Sequence, residues 1–193
     1  MREFLLPESS GMHAWYIADS LCDEIIHYFE KSEIKERGVC GKIEYKPDVK
    51  DSTDVPLNPN RFLYERYTEE LNRGLGEYMN KFNLLQTVGK FDDSRENTLI
   101  QKYYPNQGFH KMHCEQSHIH PWRLIVFMTY LNNVPRGGTR FRHQGIDLPC
   151  EKGLTVLWPA GYTHAHAGIT NSNGSAGVTE TKYIVTGWLS YVE

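Results

Sequence analysis

The 193-residue sequence lacks any apolar run approaching the roughly 20 residues that a transmembrane helix needs, so we expect no membrane association. Its first seven residues, MREFLLP, are too short and too acidic for a signal peptide, which predicts a cytoplasmic protein. A strong positive charge is also missing, because 21 Lys and Arg face 24 Asp and Glu, a net charge of −3. General nucleic-acid-binding proteins are usually more basic, so no nucleic-acid partner is expected.

Cysteines are few and scattered. The four are Cys22, Cys40, Cys114 and Cys150, and no two form a C-x-x-C pair, which argues against a zinc finger. A disulfide framework is not expected in a cytoplasmic chain. We interpret all four as reduced thiols at ordinary positions.

Length and composition favour one domain. Hydrophobic residues make up 39% of the chain and charged residues 23%, which is typical of globular proteins with a sizeable core. The sequence shows no internal repeat and no low-complexity tract. We predict a single domain over residues 1–193, with a helical support over about 1–90 and a β-rich core over about 91–193.

Two amphipathic helices are predicted in the first half. Ser20 is a candidate N-cap for the first, with Asp23 at the capping-box position. Its apolar side carries Leu21, Ile25, Ile26 and Phe29. The second helix is predicted over residues 64–82, where an apolar stripe runs from Leu71 to Phe82. Gly74 and Gly76 weaken the helical propensity of its middle.

Four runs of β-branched and aromatic residues predict strands in the second half. They are residues 98–104, 124–131, 154–158 and 183–189. The run 124–131 is nearly continuous, which predicts burial on both faces. Turn signals lie at 105–108, 135–138 and 171–177, and residues 48–60, rich in Asp, Pro and Asn, predict a loop. Short strands separated by turns are typical of a sandwich or barrel.

Histidine placement is the most informative feature, because seven of nine lie between His110 and His166. His113-Cys114-Glu115 forms an H-x-carboxylate unit, and residues i and i+2 of a strand point to the same face. A histidine from a distant strand would complete two histidines and one carboxylate. That facial triad, with open coordination positions, is characteristic of non-haem Fe(II) oxygenases. Taken alone, H-x-E also fits a surface strand with two polar side chains.

Further short segments surround this unit in a fixed order. They are YPNQG at 104–108, Arg123, YLN at 130–132, GGTRF at 137–141, KG at 152–153, WP at 158–159, HAH at 164–166 and KYIVTGW at 182–188. This ordered set, which covers about residues 99–191, resembles the 2-oxoglutarate/Fe(II)-dependent oxygenase superfamily, and within it the prolyl 4-hydroxylase-like branch. The resemblance implies a mainly β fold with N-terminal helices: a double-stranded β-helix, or jelly-roll (cupin-like) barrel, supported by helices.

The resemblance also implies a metal-ligand set. His113 and Glu115 would be two iron ligands, although the family usually has Asp where this chain has Glu. Both His164 and His166 qualify by position as the distal ligand. The small residues at 167–169 resemble the family's segment after that ligand and favour His166.

A cosubstrate site is implied in the same way. Lys182 resembles the basic residue that pairs with the far carboxylate of 2-oxoglutarate, and Thr186 lies on the same strand face. Tyr104 and Tyr130 occupy positions where the family often places tyrosines that contact 2-oxoglutarate. Trp188 would pack near the metal.

Other polar residues have plainer interpretations. His118 and His120 fit a solvated loop near the pocket mouth, and Arg123 fits a supporting role. Arg140 and Arg142 lie on a strand that faces either solvent or substrate.

The activity implied is that of an Fe(II)- and 2-oxoglutarate-dependent dioxygenase that hydroxylates a peptide, a protein side chain or a small molecule. Its cofactor and cosubstrates would be Fe(II), 2-oxoglutarate and O₂, with ascorbate as an optional reductant. Two alternatives remain open: a non-catalytic metal-binding jelly-roll module, and a cupin-type enzyme that does not use 2-oxoglutarate. Lys182 discriminates among them, because only a 2-oxoglutarate enzyme needs a buried cation opposite the metal.

Overall fold

The computed structural model describes residues 2–39, 45–169 and 180–192. Its two α-helices are α1, Asp19–Lys31, and α2, Arg61–Lys81. Short 3-10 helices lie at Glu8–Ser10, Asn83–Thr87 and Tyr162–His164. The strands are β1 Arg2–Phe4, β2 His13–Tyr16, β3 Glu36–Arg37, β4 Lys50–Asp51, β5 Thr53–Pro56, β6 Phe91–Asp92, β7 Leu99–Tyr103, β8 Gly108–Phe109, β9 Arg123–Tyr130, β10 Val134–Phe141, β11 Ile146–Cys150, β12 Leu154–Pro159, β13 His166–Gly168 and β14 Lys182–Tyr191.

The strands form two main antiparallel sheets. The large sheet has the order β1-β2-β12-β9-β14-β7-β5-β3, with β6 beside β14. The small sheet has the order β11-β10-β13, and β4 pairs with β8 in a separate ladder. The predicted mainly β jelly-roll with supporting helices is confirmed, although the described strands do not close into a complete barrel.

Strand β9 shows why the apolar run is continuous. Ile125 and Phe127 pack toward α1 and α2 in one core cluster, while Val126 and Met128 lie in a second cluster against the small sheet. All four are nearly inaccessible to solvent. Each fully buried aliphatic or aromatic side chain contributes roughly 1.5–3 kcal/mol of transfer free energy. The large sheet is therefore covered on both faces, as the sequence predicted for residues 124–131.

Helix α1 begins differently from the prediction. It starts at Asp19, and Ala18 occupies the N-cap position without a side-chain hydrogen bond. Ser20 therefore lies inside the helix, and its predicted capping role is wrong. Asp23 does not close a capping box either, since its carboxylate accepts a hydrogen bond from Lys152 Nζ at 2.6 Å. Asp23 therefore forms a tertiary ion pair with Lys152 and no local capping interaction.

Helix α2 confirms the second predicted helix but begins earlier, because the Asn60 side chain caps it by accepting from Leu63 N at 3.2 Å. Its buried side is formed by Leu63, Tyr67, Leu71, Gly74 and Tyr78. At Gly74 an added Cβ would lie 2.2 Å from the Trp15 ring. Gly74 thus lets α2 approach the Trp15 indole on β2, which is the reason that a poor helix former stands there.

Two predictions based on turn-forming residues are wrong. Residues 48–60 contain β4 and β5, and β5 pairs with β7 in the large sheet. Their polar composition has a structural cause: buried Asp54 accepts from Lys50 Nζ at 2.9 Å and from Ser52 Oγ at 2.7 Å. Residues 135–138 lie within β10, where the pairing register with β11 shifts between Val134 and Thr139.

The turn at 105–108 is confirmed, because Gln107 N donates to Tyr104 O at 2.9 Å and Asn106 has φ 69°. The predicted turn at 171–177 and Cys40 lie outside the described residues. Cys22, Cys114 and Cys150 are free thiols, as predicted. Strands from the first 56 residues join the large sheet, so the helical support and the β core share elements. The extent of the single domain stays a prediction.

No helix in the described ranges is both long and apolar enough to cross a membrane.

Candidate metal centre

A backbone bridge brings the H-x-E unit to the distal histidine. His113 lies outside the named strands and forms an isolated antiparallel bridge with His166, the first residue of β13. The two residues exchange N–H···O bonds of 2.9 Å in both directions. Glu115 N donates to Ala160 O at 3.1 Å, which ties the unit to the end of β12. The predicted strand around H-x-E is therefore wrong, yet the convergence of its two side chains holds.

Three side chains meet at one point. Glu115 Oε1 lies 3.3 Å from His113 Nε2 and 3.5 Å from His166 Nε2. The candidate donor atoms of the three residues all lie within 4.8 Å of one another. Donor atoms about 2.1 Å from a shared metal lie about 3.0–3.5 Å apart at the usual angles. The spacing between Glu115 and each histidine therefore suits one ion bound on one face.

Hydrogen bonds set the tautomers of both histidines. His113 Nδ1 contacts Lys111 O at 2.9 Å, and His166 Nδ1 contacts His164 O at 2.9 Å. A carbonyl oxygen only accepts, so each Nδ1 carries a proton, and in the neutral ring that leaves the lone pair on Nε2. Metal-binding histidines usually donate their other ring N–H to such a carbonyl or to a carboxylate. The two Nε2 atoms are thus chemically prepared to bind a cation.

His164 is held away from this point. Its Nε2 donates to Ser10 O at 2.8 Å, and its Nδ1 accepts from Thr163 Oγ1 at 3.0 Å. Burial lowers the pKa of His164, which favours this neutral ring. Since both nitrogens are occupied, His164 lacks a free lone pair for a metal, and His166 is the histidine that faces His113 and Glu115.

The carboxylate of Glu115 is held as an anion. Burial alone would raise its pKa, but when His113 and His166 carry a proton on Nε2, their hydrogen bonds and charge hold the pKa well below its usual range. Its second oxygen, Oε2, accepts from Arg123 Nη1 at 3.1 Å and from Trp188 Nε1 at 3.0 Å. Arg123 and Trp188 therefore support the site directly.

Aromatic rings fix the two imidazoles. Phe109 stacks on His113 with ring centroids 3.5 Å apart, and Phe141 and Trp158 lie 5.4 and 5.0 Å from the His166 centroid. Phe109 escaped the sequence analysis, because β8 has only two residues and gives no periodic signal.

The same pocket contains three of the four predicted cosubstrate residues: Lys182, Thr186 and Tyr130. Lys182 is 7% exposed, and its Nζ donates to Gly137 O at 2.9 Å. Burial lowers the pKa of Lys182. No carboxylate pairs with this ammonium in the described part of the chain. Tyr130 is fully buried and donates to Thr139 Oγ1 at 2.6 Å.

Tyr104 does not reach the pocket. Its side chain is 48% exposed and lies 4.7 Å from Lys102 Nζ on the outer surface. The inward residue is its neighbour Tyr103, which pairs with Lys182 across β7 and β14 and whose ring lies 5.0 Å from Lys182 Nζ. Neighbouring strand residues point to opposite faces, so a one-residue error in register moved the predicted tyrosine outside.

The remaining polar candidates fall into two groups. His120 lines a groove of about 610 Å³ that shares Phe109, His113, Glu115 and Thr186 with the pocket, whereas His118 is exposed. Arg140 is also exposed and forms a two-point ion pair with Asp147. Arg142 is exposed too, so the solvent-facing interpretation of these arginines fits.

Prolyl hydroxylases are among the solved structures that share this architecture. A viral collagen prolyl hydroxylase from Paramecium bursaria Chlorella virus-1, solved with 2-oxoglutarate, matches with TM-score 0.67 and 17% identity, covering 94% of this chain and 96% of that one. A Pseudomonas putida prolyl 4-hydroxylase matches with TM-score 0.68 and 14% identity, covering 96% and 95%. A Trichoplax adhaerens prolyl hydroxylase, solved with a hypoxia-inducible factor peptide, matches with TM-score 0.71 and 12% identity, covering 94% and 84%.

No protein-family model and no curated protein matches the sequence. At these identities the likeness is one of fold, and it extends over nearly the whole of each chain. The chain therefore has the jelly-roll fold of the prolyl hydroxylases, the fold that the sequence resemblance implied.

Proposed function

We propose that the chain is an Fe(II)- and 2-oxoglutarate-dependent dioxygenase that hydroxylates a peptide or a small molecule. The observation that carries the proposal is Lys182, a buried cation in the same pocket as the His113, Glu115 and His166 side chains. A buried ammonium with one carbonyl partner is costly unless an anion joins it. The far carboxylate of 2-oxoglutarate is an anion of the right chemistry.

The three convergent side chains would hold the iron. Two neutral imidazoles and one carboxylate give the donor set that Fe(II) takes in facial-triad sites, and three protein ligands leave positions for cosubstrate and O₂. When bound, iron with 2-oxoglutarate and O₂ supplies the oxidative decarboxylation that yields succinate and CO₂ and transfers one oxygen atom to a C–H bond.

The chain's own residues bind and orient the reactants. Lys182 would hold the far carboxylate, and Thr186 lies on the same face of β14 to add a hydroxyl. Tyr130 and Trp158 close the pocket with buried aromatic surface, which excludes water and strengthens the charge interaction at Lys182. In this interpretation the cofactor carries out the oxidation, and the protein positions the reactants and shields them from water.

A peptide is one substrate class consistent with the fold, because the Trichoplax enzyme was solved with a peptide. The groove beside the pocket would receive the substrate. Its volume of about 610 Å³ is large enough for a short peptide segment or a small molecule.

A metal-binding comparison tests the ligand set. We expect His166→Ala to lose Fe(II) or Mn²⁺ binding and His164→Gln to retain it, because only His166 has a free Nε2 at the site. Isothermal titration with Mn²⁺ reads out both variants without requiring a known substrate. Equal loss in both variants, with folded proteins by circular dichroism, would contradict the assignment of His166.

Cosubstrate turnover tests the activity class. The iron-loaded protein with ascorbate should consume 2-oxoglutarate and release succinate, faster with a suitable peptide library than without it, and chelation of the metal should stop the release. A metal-loaded protein that neither binds 2-oxoglutarate nor releases succinate would instead favour a non-catalytic metal-binding module.

A further inference from the structure

The two carboxylate oxygens of Glu115 have different surroundings. Oε1 faces the histidine Nε2 atoms, whereas Oε2 accepts from Arg123 Nη1 at 3.1 Å and from Trp188 Nε1 at 3.0 Å. We propose that Arg123 and Trp188 are positioning residues that restrict Glu115 to one-oxygen metal binding. This inference rests on the metal site proposed above.

Arg123 is itself fixed from behind. Glu96 accepts from its Nε at 2.8 Å and from its Nη2, so the pair is bound at two points. The guanidinium carbon lies 3.6 Å from the centre of the Trp188 ring, and the side chain is 9% exposed. Arg123 Nη1 also donates to the Glu115 carbonyl at 3.3 Å. The planar fork of arginine loses little freedom in such a pair, so the donor aimed at Oε2 is held in place.

One-oxygen binding matters for the open side of the metal. A carboxylate that binds through both oxygens takes an additional coordination position, as carboxylates do at many cation sites. Two hydrogen-bond donors on Oε2 compete with that mode, because both are satisfied only while Oε2 points away from the histidines. The positions for cosubstrate and O₂ would thereby stay open.

The same contacts account for glutamate at position 115. Its extra methylene lets one carboxylate span the distance between the histidine nitrogens and the Arg123–Trp188 donors. Aspartate would draw the carboxylate back by about 1.5 Å, one C–C bond, and would lose one side of these contacts. Glutamate and its two donors therefore belong together in this chain.

Mn²⁺ affinity, measured by titration of the metal-free protein, tests the proposal. Trp188→Phe keeps the ring under Arg123 and removes only the Nε1 donor. We expect about tenfold weaker Mn²⁺ binding, the usual effect of removing a group that hydrogen-bonds a metal ligand. Glu96→Gln weakens the support of Arg123 without touching Glu115 and should weaken binding as well, so the test survives poor folding of one variant. Arg66→Gln removes a similar two-point pair with Glu24 between the helices and should leave the affinity unchanged.

A double-mutant cycle separates positioning from general structural damage. In a Glu115→Asp background the Trp188→Phe loss should fall below about twofold, because the shorter side chain no longer reaches Nε1. The visible spectrum of bound Co²⁺, which reports coordination number, should change with Trp188→Phe and stay constant with Arg66→Gln. An undiminished loss in the aspartate background, or an unchanged Co²⁺ spectrum in Trp188→Phe, overturns the proposal. Failure of the unmodified protein to bind Mn²⁺ would refute the metal site itself.

Discussion

Replacing Lys182 by methionine should have opposite effects on cosubstrate binding and on stability. The two side chains have similar length and volume, so the substitution removes the ammonium with little change in packing. Within the described residues, Nζ donates to one acceptor, Gly137 O at 2.9 Å, in a pocket where the side chain is 7% exposed. The buried charge therefore destabilises the folded chain, and it becomes favourable only when an anion binds beside it.

The size of the binding loss follows from the buried pair. Removing one partner of a buried charge pair costs about 3–5 kcal/mol, which at about 1.4 kcal/mol per tenfold is about 140- to 3,700-fold in affinity. We expect 2-oxoglutarate binding to the Mn²⁺-loaded Lys182→Met protein to weaken by that factor in isothermal titration. Mn²⁺ binding itself should be unchanged, because Lys182 contacts none of the three candidate ligands.

The stability of the ligand-free Lys182→Met protein should be equal to or higher than that of the unmodified protein. The direction of this stability difference also depends on pH. Burial lowers the pKa of Lys182 below 10.5, so between the lowered value and 10.5 the unfolded chain binds more protons, and stability rises with pH in that window. Methionine should abolish this contribution in urea titrations from pH 7 to 10.

The matched control for this variant is Lys102→Met, since Lys102 lies on neighbouring β7 but pairs with Glu30 at 2.8 Å on the outer surface. Retention of 2-oxoglutarate affinity by Lys182→Met within about threefold, an energy under about 1 kcal/mol, would refute the cosubstrate role of Lys182. A large loss in Lys102→Met would show that the effect is not local.

Two further outcomes concern stability. Gly74→Ala should destabilise by about 1–3 kcal/mol through overpacking against Trp15, although alanine is the better helix former, whereas Gly76→Ala, with nothing within 4 Å of its added Cβ, should stabilise by up to about 1 kcal/mol in urea denaturation. His13→Phe should stabilise by about 1–2 kcal/mol, because neither buried ring nitrogen has a hydrogen-bond partner in the described structure. Burial lowers the pKa of His13, so its protonation in the unfolded chain reduces stability as pH falls below 6.5, and the phenylalanine variant should lose less stability than the unmodified protein between pH 7.5 and 5. The charged groups that act on His13 are Glu3, Glu77 and Lys81. Equal effects of the two glycine substitutions, or unchanged acid sensitivity without His13, would contradict these accounts.

The sequence predicted those parts of the fold whose signal is local. Residues 124–131 and 183–189 became β9 and β14 because a run of β-branched and aromatic side chains is stable only between two apolar layers. The same reasoning failed for residues 135–138. There the Pro-Arg-Gly-Gly sequence lies in an irregular part of β10 and does not reverse the chain. Arg136 has φ 61°, and the pairing register with β11 shifts at this point. Local composition indicates that the backbone bends but not whether the chain turns back.

The meeting of His113 and Glu115 was predicted for a partly wrong reason. The i, i+2 rule was applied to a strand, and the structure has only a single bridge to His166 at this point. The two side chains still meet because His113 is fixed by its bridge to His166 and Glu115 by the hydrogen bond from its N–H to Ala160 O. What the rule could not supply is the partner of Oε2, since Arg123 reaches Glu115 only through the fold and Glu96 holds Arg123 from a separate segment.

The tyrosine beside Lys182 shows where a match of short segments reaches its limit. The Tyr-Pro pair directed attention to Tyr104, but the register of β7 against β14 sets Tyr103 opposite Lys182. A strand has a period of two, so one position of uncertainty exchanges the inner face for the outer one. Lys182 was predicted from the resemblance, and in the structure it is buried on β14, where a long charged side chain needs an anionic partner. The residue that best predicts function is thus the one whose burial is chemically unfavourable without a ligand.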